Sequence, residues 1–468
     1  MKRYQQLAHD IAALIDNGVL TPGERVPSVR QASKTYRVSP ATVYQAYFLL
    51  ENRGLIHAKP RSGYYVCEHA SAPVPPSAPV DSPVSTAVDV NDLVFAVMRA
   101  IADPAVIPLG SAFPCASLFP MERLCRSLSK ATKQLDAQSL VSQLPQGHHD
   151  LRRQIIQRYT LANVPATLDE LIITNGALEG LNLCLQAVTQ AGDFVAVQAP
   201  AFYAPLQALE RLQLNAIEIP VDSQGNLDLP FLRRALEKYP IKACWFMTSF
   251  QNPLGTTLGE ADKQALVELL TQHRVPLIED DVYSELYFSP RPVKPAKAFD
   301  RQGWVMHCGS FSKSLAPGYR VGWTCAGRFA QQVERLKLMT TLSASLPAQA
   351  AIADYLQHGG YDRHLRKLRQ SLKAQQQQMI AAITRYFPDG CRCTTADGGY
   401  FLWLELPPNV DSLKLFHVAR SHNISIAPGP IFSARRAFRH CIRLNYGKPW
   451  SADIDRAMQT LGRLVAEF

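Results

Sequence analysis

The chain has 468 residues, 47% hydrophobic and 19% charged, with 49 basic against 39 acidic side chains and a formal net charge of +10. At roughly 150 residues per domain this is length for about three domains, and the composition excludes a disordered chain, a peptide or a minimal stapled scaffold. The opening MKRYQQLAHDIAALIDNG lacks an apolar signal core and no later run approaches about 18 apolar residues, so the expectation is a soluble, cytoplasmic protein.

Ten cysteines are scattered along the chain, and Cys391 and Cys393 are the only close pair. A lone CxC with neither a second pair nor a nearby HxxxH gives no metal site and no disulfide framework; reduced, mostly buried thiols are expected.

The first 67 residues hold nine basic and four acidic side chains, so half of the net charge sits in a seventh of the length. A polyanion would meet this patch first. From Tyr4 to Asn17, Leu7, Ile11, Leu14 and Ile15 recur at helical spacing, and Gly18 can end the helix left-handed. Ser28 is placed to cap a second helix, with Gln31 three residues on, and Ser39 with Pro40 opens a third that runs to Gly54. Leu55 to Ala58 and Tyr64 to Cys67 alternate as two strands around Pro60-Arg61-Ser62-Gly63. That order is a winged helix-turn-helix. Its third helix would present Thr42, Gln45 and Arg53 to the major groove, with Arg30 and Arg61 reaching phosphates.

Gly23-Glu24-Arg25-Val26-Pro27-Ser28-Val29-Arg30, then Val38-Ser39-Pro40-Ala41-Thr42-Val43, Ala46-Tyr47 and Ser62-Gly63-Tyr64-Tyr65-Val66, resembles the GntR family of bacterial transcription factors. The resemblance implies double-stranded DNA as partner and adds Arg25, Ser39 and Gly63 to the DNA-binding set. Where that family often has arginine after the Val-Ser pair, this chain has Pro40.

Residues 68–92 carry Pro73, Pro75, Pro76, Pro79 and Pro83 among Ser, Ala and Val. Prolines deny helix and sheet hydrogen bonds, so a semi-stiff tether is expected between a module of residues 1–67 and one of 93–468. The second is expected to divide into a large part, about 105–335, and a small C-terminal α+β part, about 336–468.

In the large part, apolar runs at Leu171 to Ile173, Phe194 to Gln198, Ala243 to Met247, Val275 to Ile278 and Trp304 to Cys308 alternate with helical stretches. This predicts an α/β fold, a doubly wound and mainly parallel sheet, whose ligand sits beyond the carboxyl ends of the strands. Those ends carry a glycine turn at Gly176, aromatic Phe202, Asn252 in Asn-Pro-Leu-Gly, acidic Asp280 before Tyr283, and Ser310-Phe311-Ser312-Lys313 with Arg320 beyond. Each alone has a plain structural explanation; together they fit one ligand. A phosphate calls for Ser310, Ser312, Arg320 and the Gly176 turn, and an aldehyde calls for the amine of Lys313 as catalytic nucleophile. A pyridinium nitrogen calls for Asp280, and a phenolate oxygen for Asn252 and Tyr283. That ligand is pyridoxal 5′-phosphate. Arg443 is the candidate clamp for a substrate or effector carboxylate.

Pro145-Gln146-Gly147 with Leu151-Arg152, Asn252-Pro253-Leu254-Gly255, Asp280 with Tyr283, the Lys313 segment with Arg320, Gly398-Gly399-Tyr400-Phe401 and Arg443 resemble the fold-type I aminotransferases from about residue 105 onward. The resemblance implies that Gly176, Ala177 and Leu178 form the phosphate-binding turn and that Phe202 stacks on the cofactor ring. Two departures are Ser142, where the family often has a tyrosine reaching the neighbouring subunit's phosphate, and Leu178, where a polar residue is common. The whole order resembles the MocR subfamily of regulators, YdcR-type members above all, and implies a domain-swapped homodimer. Three functions remain open: a regulator sensing an amino compound, a working aminotransferase, and a non-catalytic sensor of the cofactor.

Overall fold

The computed structural model describes residues 3–66 and 82–468, except residues 22, 53–54, 60–61, 102, 104, 136–137, 139–145, 222–224, 359 and 395. Arg53, Arg61, Ser142, Pro145 and most of the proline-rich segment therefore lie outside the described residues. The chain divides into two compact units, Met1–Ala72 and Pro73–Phe468.

In the first unit, helices α1 (Arg3–Asp16), α2 (Val29–Thr35) and α3 (Pro40–Asn52) precede an antiparallel hairpin of β1 (Ile56–Lys59) and β2 (Gly63–Val66). Ser28 caps α2, its hydroxyl accepting from the Gln31 N–H at 3.2 Å. The core is small: Leu7, Ile11, Val26, Val43, Tyr47, Leu50, Ile56 and Val66 are all buried. Tyr47 anchors it, donating to the Pro27 carbonyl and meeting Tyr64 edge-on at 5.0 Å. Tyr47→Ala should remove ~3–5 kcal/mol by leaving a cavity, most of what so small a unit has. Thermal melts should show an early transition and loss of DNA binding, with cofactor absorbance retained.

In the second unit eight strands form one sheet in the order β3 (Ser85–Ala87), β7 (Asn215–Pro220), β6 (Phe194–Ala199), β8 (Ile241–Phe246), β9 (Leu277–Asp280), β10 (Val305–Ser310), β11 (Gly322–Cys325) and β5 (Leu171–Thr174). The five from β7 to β10 run parallel, and β3, β11 and β5 pair antiparallel to their neighbours. Helices cover both faces, so β5, β9 and β10 are buried throughout, which is why each opens on an apolar run.

The end of the segment 68–92, expected as tether, belongs to the folded second unit. Ser85–Ala87 forms the sheet's edge strand against β7, and helix Asn91–Ile101 follows it. Val88, Val90 and Val94 bury there, which outweighs the run of prolines ending at Pro83. The small part is likewise not purely C-terminal. It holds a four-stranded antiparallel sheet, β12 (Arg392–Cys393), β13 (Phe401–Glu405), β16 (Cys441–Asn445) and β15 (Ala427–Pro428). Residues near 107 join it, because β4 (Ile107–Pro108) pairs with β14 (Ile424–Ser425). That closure carries Gly110 to Phe113 to the mouth of the site described next. No described helix is long and apolar enough to cross a membrane.

Candidate functional site

The carboxyl ends of β5, β6, β8, β9 and β10 converge with the 110–113 segment and β16. Gly176 opens the helix Ala177–Val188 with φ +80 and ψ 165, a conformation open to glycine alone. A Cβ there would stand 2.4 Å from Nη2 of Arg320, and a Cβ on Gly322 would stand 2.5 Å from the Ala177 nitrogen. Strand β11 therefore presses Arg320 against the helix start. Arg320 donates from Nη1 to the Ser312 hydroxyl at 3.2 Å, and the Ser312 N–H donates to the Ser310 hydroxyl at 3.3 Å. A helix N-terminus, two hydroxyls and a guanidinium thus share one concavity, the donor set a phosphate needs. Ala177 is buried, whereas the Leu178 side chain is 49% exposed and adds only its backbone N–H. Gly176→Ala should strain that backbone by ~1–3 kcal/mol and push Arg320 aside. The expected result is at least tenfold weaker binding of pyridoxal 5′-phosphate in a fluorescence titration, with an unchanged far-ultraviolet spectrum.

Lys313 reaches from the end of β10 toward the 110–113 segment. Its Nζ donates to the Ala112 carbonyl at 2.9 Å and stands 3.5 Å from the Phe113 ring centroid. Burial, the charge of Arg443 and that of Arg320 bring the amine down to about 7, against the pull of Asp280. Asp280, at the end of β9, is pushed up to about 7 by burial and by the charge of Asp281. Its Oδ1 is buried without a hydrogen-bond partner. A protonated ring nitrogen would supply the missing donor and hold the carboxyl ionised, so an orphaned oxygen fits that group.

Asn252 donates from Nδ2 to the Tyr283 hydroxyl at 3.4 Å and accepts on Oδ1 from Nη1 of Arg443 at 2.9 Å. Burial raises the Tyr283 hydroxyl well above the ordinary tyrosine range, so it stays a donor for an anionic oxygen. Arg443 is fully buried on β16, donating from Nη2 to the Gly110 and Ser111 carbonyls at 2.7 and 3.2 Å, with the Phe401 ring 4.3 Å from Cζ. Its Nε is buried without a partner, and burial lowers its proton affinity. A guanidinium held by neutral acceptors, with one N–H unspent, suits a carboxylate. Phe202 precedes the helix Tyr203–Arg211 at the end of β6 and packs on Tyr203 at 4.2 Å.

Sequence reasoning missed Phe113 and the carbonyls of Gly110 to Ala112. They lie far from the strand ends in the chain and reach the site through the β4–β14 pairing. The Tyr400 hydroxyl donates to the Ala112 carbonyl at 3.0 Å, so this segment is held from the other side as well.

In the first unit Arg25 lies along the wing, and a Cβ on Gly63 would stand 3.2 Å from its Nε. Arg30 and Gln45 are exposed. The Ser39 hydroxyl accepts from the Thr42 N–H at 3.2 Å and lies 2.9 Å from the Thr42 hydroxyl, so Ser39 caps α3 and its side chain meets that of Thr42. Tyr44 and Phe48, 55% and 64% exposed, share the face of Gln45, a feature the apolar pattern concealed.

Residues 111–461 match the family Aminotransferase class I and II, and residues 3–66 match Bacterial regulatory proteins, gntR family. The chain is 47% identical over 468 residues, 100% of both chains, to the uncharacterized HTH-type transcriptional regulator YdcR of Escherichia coli. It is 30% identical over 382 residues to aromatic-amino-acid aminotransferase 1 of Thermococcus litoralis, 79% of this chain and 90% of that one. Among solved structures, kynurenine aminotransferase of Pyrococcus horikoshii superposes with a TM-score of 0.75 at 28% identity, over 80% of this chain and 94% of that one. Both halves of the chain thus match along their length and in this order, and the protein belongs to the MocR-type family, in which a GntR helix-turn-helix domain is fused to a class I and II aminotransferase domain.

Proposed function

We propose that the protein is a pyridoxal 5′-phosphate-dependent, DNA-binding transcriptional regulator that senses an amino compound, or the cofactor itself, through its aminotransferase-like domain. The observation that carries this reading is a complete cofactor constellation around Lys313 in one chain with a basic winged helix. When bound, the cofactor supplies an aldehyde that condenses with amines and a ring that withdraws electrons. The chain's own part is to hold Lys313 near 7, so that a neutral amine is present at physiological pH, and to set the Asp280 carboxyl where a ring nitrogen would meet it and Arg443 where a carboxylate would. The relative YdcR is named an HTH-type transcriptional regulator, which supports the DNA-binding half.

The working unit in this reading is a cytoplasmic, domain-swapped homodimer. Leu178 is exposed at the start of its helix, and Leu338, Met339 and Leu342 are exposed at the end of the helix bound to it through the Lys337 to Glu179 ion pair. These form an apolar surface that a second copy would cover.

The test is binding of the full-length protein to its own upstream region against random DNA, across a salt series. A preference for the upstream fragment that falls with salt is expected; equal binding to both overturns the reading. Arg30→Ala should weaken binding to every sequence and lower the salt slope by about one, with cofactor absorbance intact.

A second reading, a working aminotransferase, is favoured by the lowered Lys313 amine. Turnover of an amino donor with a 2-oxo acceptor would establish it. No turnover over a broad panel would leave the regulator alone.

A further inference from the structure

A cavity of about 330 Å³ lies behind the strand ends that carry Asp280 and Lys313. The helix His149–Leu161 and the long helix Tyr361–Tyr386 form its sides, and residues just after β9 and β10 form its floor. Lys313, Asp280, Asn252 and Arg443 are not among its lining residues; Ser310 is the group it shares with the phosphate cradle.

A buried relay crosses the floor. Trp323 donates from Nε1 to the Tyr159 hydroxyl at 3.0 Å, that hydroxyl lies 2.6 Å from Nδ1 of His307, and Nε2 of His307 lies 2.9 Å from Oδ2 of Asp281. The other oxygen of Asp281, Oδ1, has no hydrogen-bond partner although the residue is 4% exposed. The two arginines of the wall are engaged with groups of the wall itself. Arg158 donates to Glu285 at 2.6 Å and to Asp362 at 3.1 Å, and Arg369 donates to the Glu285 carbonyl and stacks on Tyr287 at 4.0 Å. Among the lining's buried side-chain oxygens Asp281 Oδ1 is the one without a partner, and the rings of Phe311, Trp323 and Tyr159 line the same cavity. Carboxylate plus aromatic faces recognises an ammonium carried on an apolar body, and the volume suits a compact one.

We propose that this cavity is a second ligand site, separate from the cofactor site, that takes a compact arylalkylammonium compound with its N–H donated to Asp281. Asp281 adjoins Asp280 in the chain and its charge is among the causes that raise the Asp280 carboxyl, so occupancy is felt at the cofactor's ring acid. The site goes beyond the function proposed above and stands whether or not the protein turns over substrate.

N,N-dimethylphenethylamine is the probe, because a tertiary amine cannot condense with an aldehyde and so cannot report on the cofactor site. Calorimetric titration of the full-length, cofactor-loaded protein should give one saturable event per chain with a dissociation constant of about 1 mM or tighter. Asp281→Asn should weaken it at least tenfold. Val293→Trp, which fills the cavity from a half-buried wall position and leaves Asp281 in place, should abolish it. No saturable heat, equal affinity in Val293→Trp, or tighter binding of 3-phenylpropionate than of the amine overturns the proposal. If Asp281→Asn does not fold, Val293→Trp and the anion comparison decide. Cofactor absorbance, recorded on the same samples, tests the constellation around Lys313 separately.

Discussion

Lys313→Ala is expected to abolish the visible absorbance of the lysine-bound cofactor and to weaken cofactor retention by a hundredfold or more. The Nζ is the amine held at the carboxyl end of β10, 2.9 Å from the Ala112 carbonyl, within the same loop as the phosphate-side hydroxyls. Dialysis followed by a spectrum checks the result, and persistence of the band would refute the assignment of this lysine. A pH series sharpens it. An amine of pKa about 7 gains neutral fraction about tenfold between pH 6 and pH 8, so the rate of cofactor loading should rise by that factor and then level off. Stability without cofactor follows the same linkage with the opposite cost. The folded pKa lies below the unfolded 10.5, so the folded state resists protonation. The penalty is full below about 7 and disappears as pH rises toward 10.5. Lys313→Met, which keeps the stem, should therefore raise the melting temperature of cofactor-free protein at pH 6 more than at pH 9.

Arg443→Lys is the second large effect. A lysine keeps the charge but cannot span Asn252 Oδ1 and the Gly110 and Ser111 carbonyls at once. Each buried acceptor left without its donor costs ~1–3 kcal/mol, so the melting temperature should fall by several degrees. In the proposed role the selectivity for amino acids over the corresponding decarboxylated amines should collapse, by about a hundredfold, when both are titrated against the cofactor's spectrum. Selectivity kept at the level of the unaltered protein would move the carboxylate clamp to another residue.

Some residues were legible because their role is local. Val43, Tyr47 and Leu50 sit at helical spacing and bury together, and the Ser28 and Ser39 caps act within three residues. The strands β5, β9 and β10 announced themselves by apolar runs because both of their faces are covered. Asp280, Lys313 and Asn252 stood out as polar groups at apolar strand ends, where burial without a partner is costly. Other residues were not legible for an equally physical reason. Ser85–Ala87 reads as tether until β7 is there to pair with it.

Composition, charge distribution and motif spacing by themselves determined the order of modules, the fold class and the polar residue types gathered at the strand ends, since these depend on short-range pattern and on chemistry that few other residues can supply. Only the tertiary structure decided that Phe113 faces Lys313, that Arg443 leans on Asn252 and Gly110, and that Trp323, Tyr159, His307 and Asp281 join into one relay. Those contacts link residues from 26 to more than 300 positions apart, and no periodicity in a chain encodes which distant segment closes against which; packing of the finished sheet does.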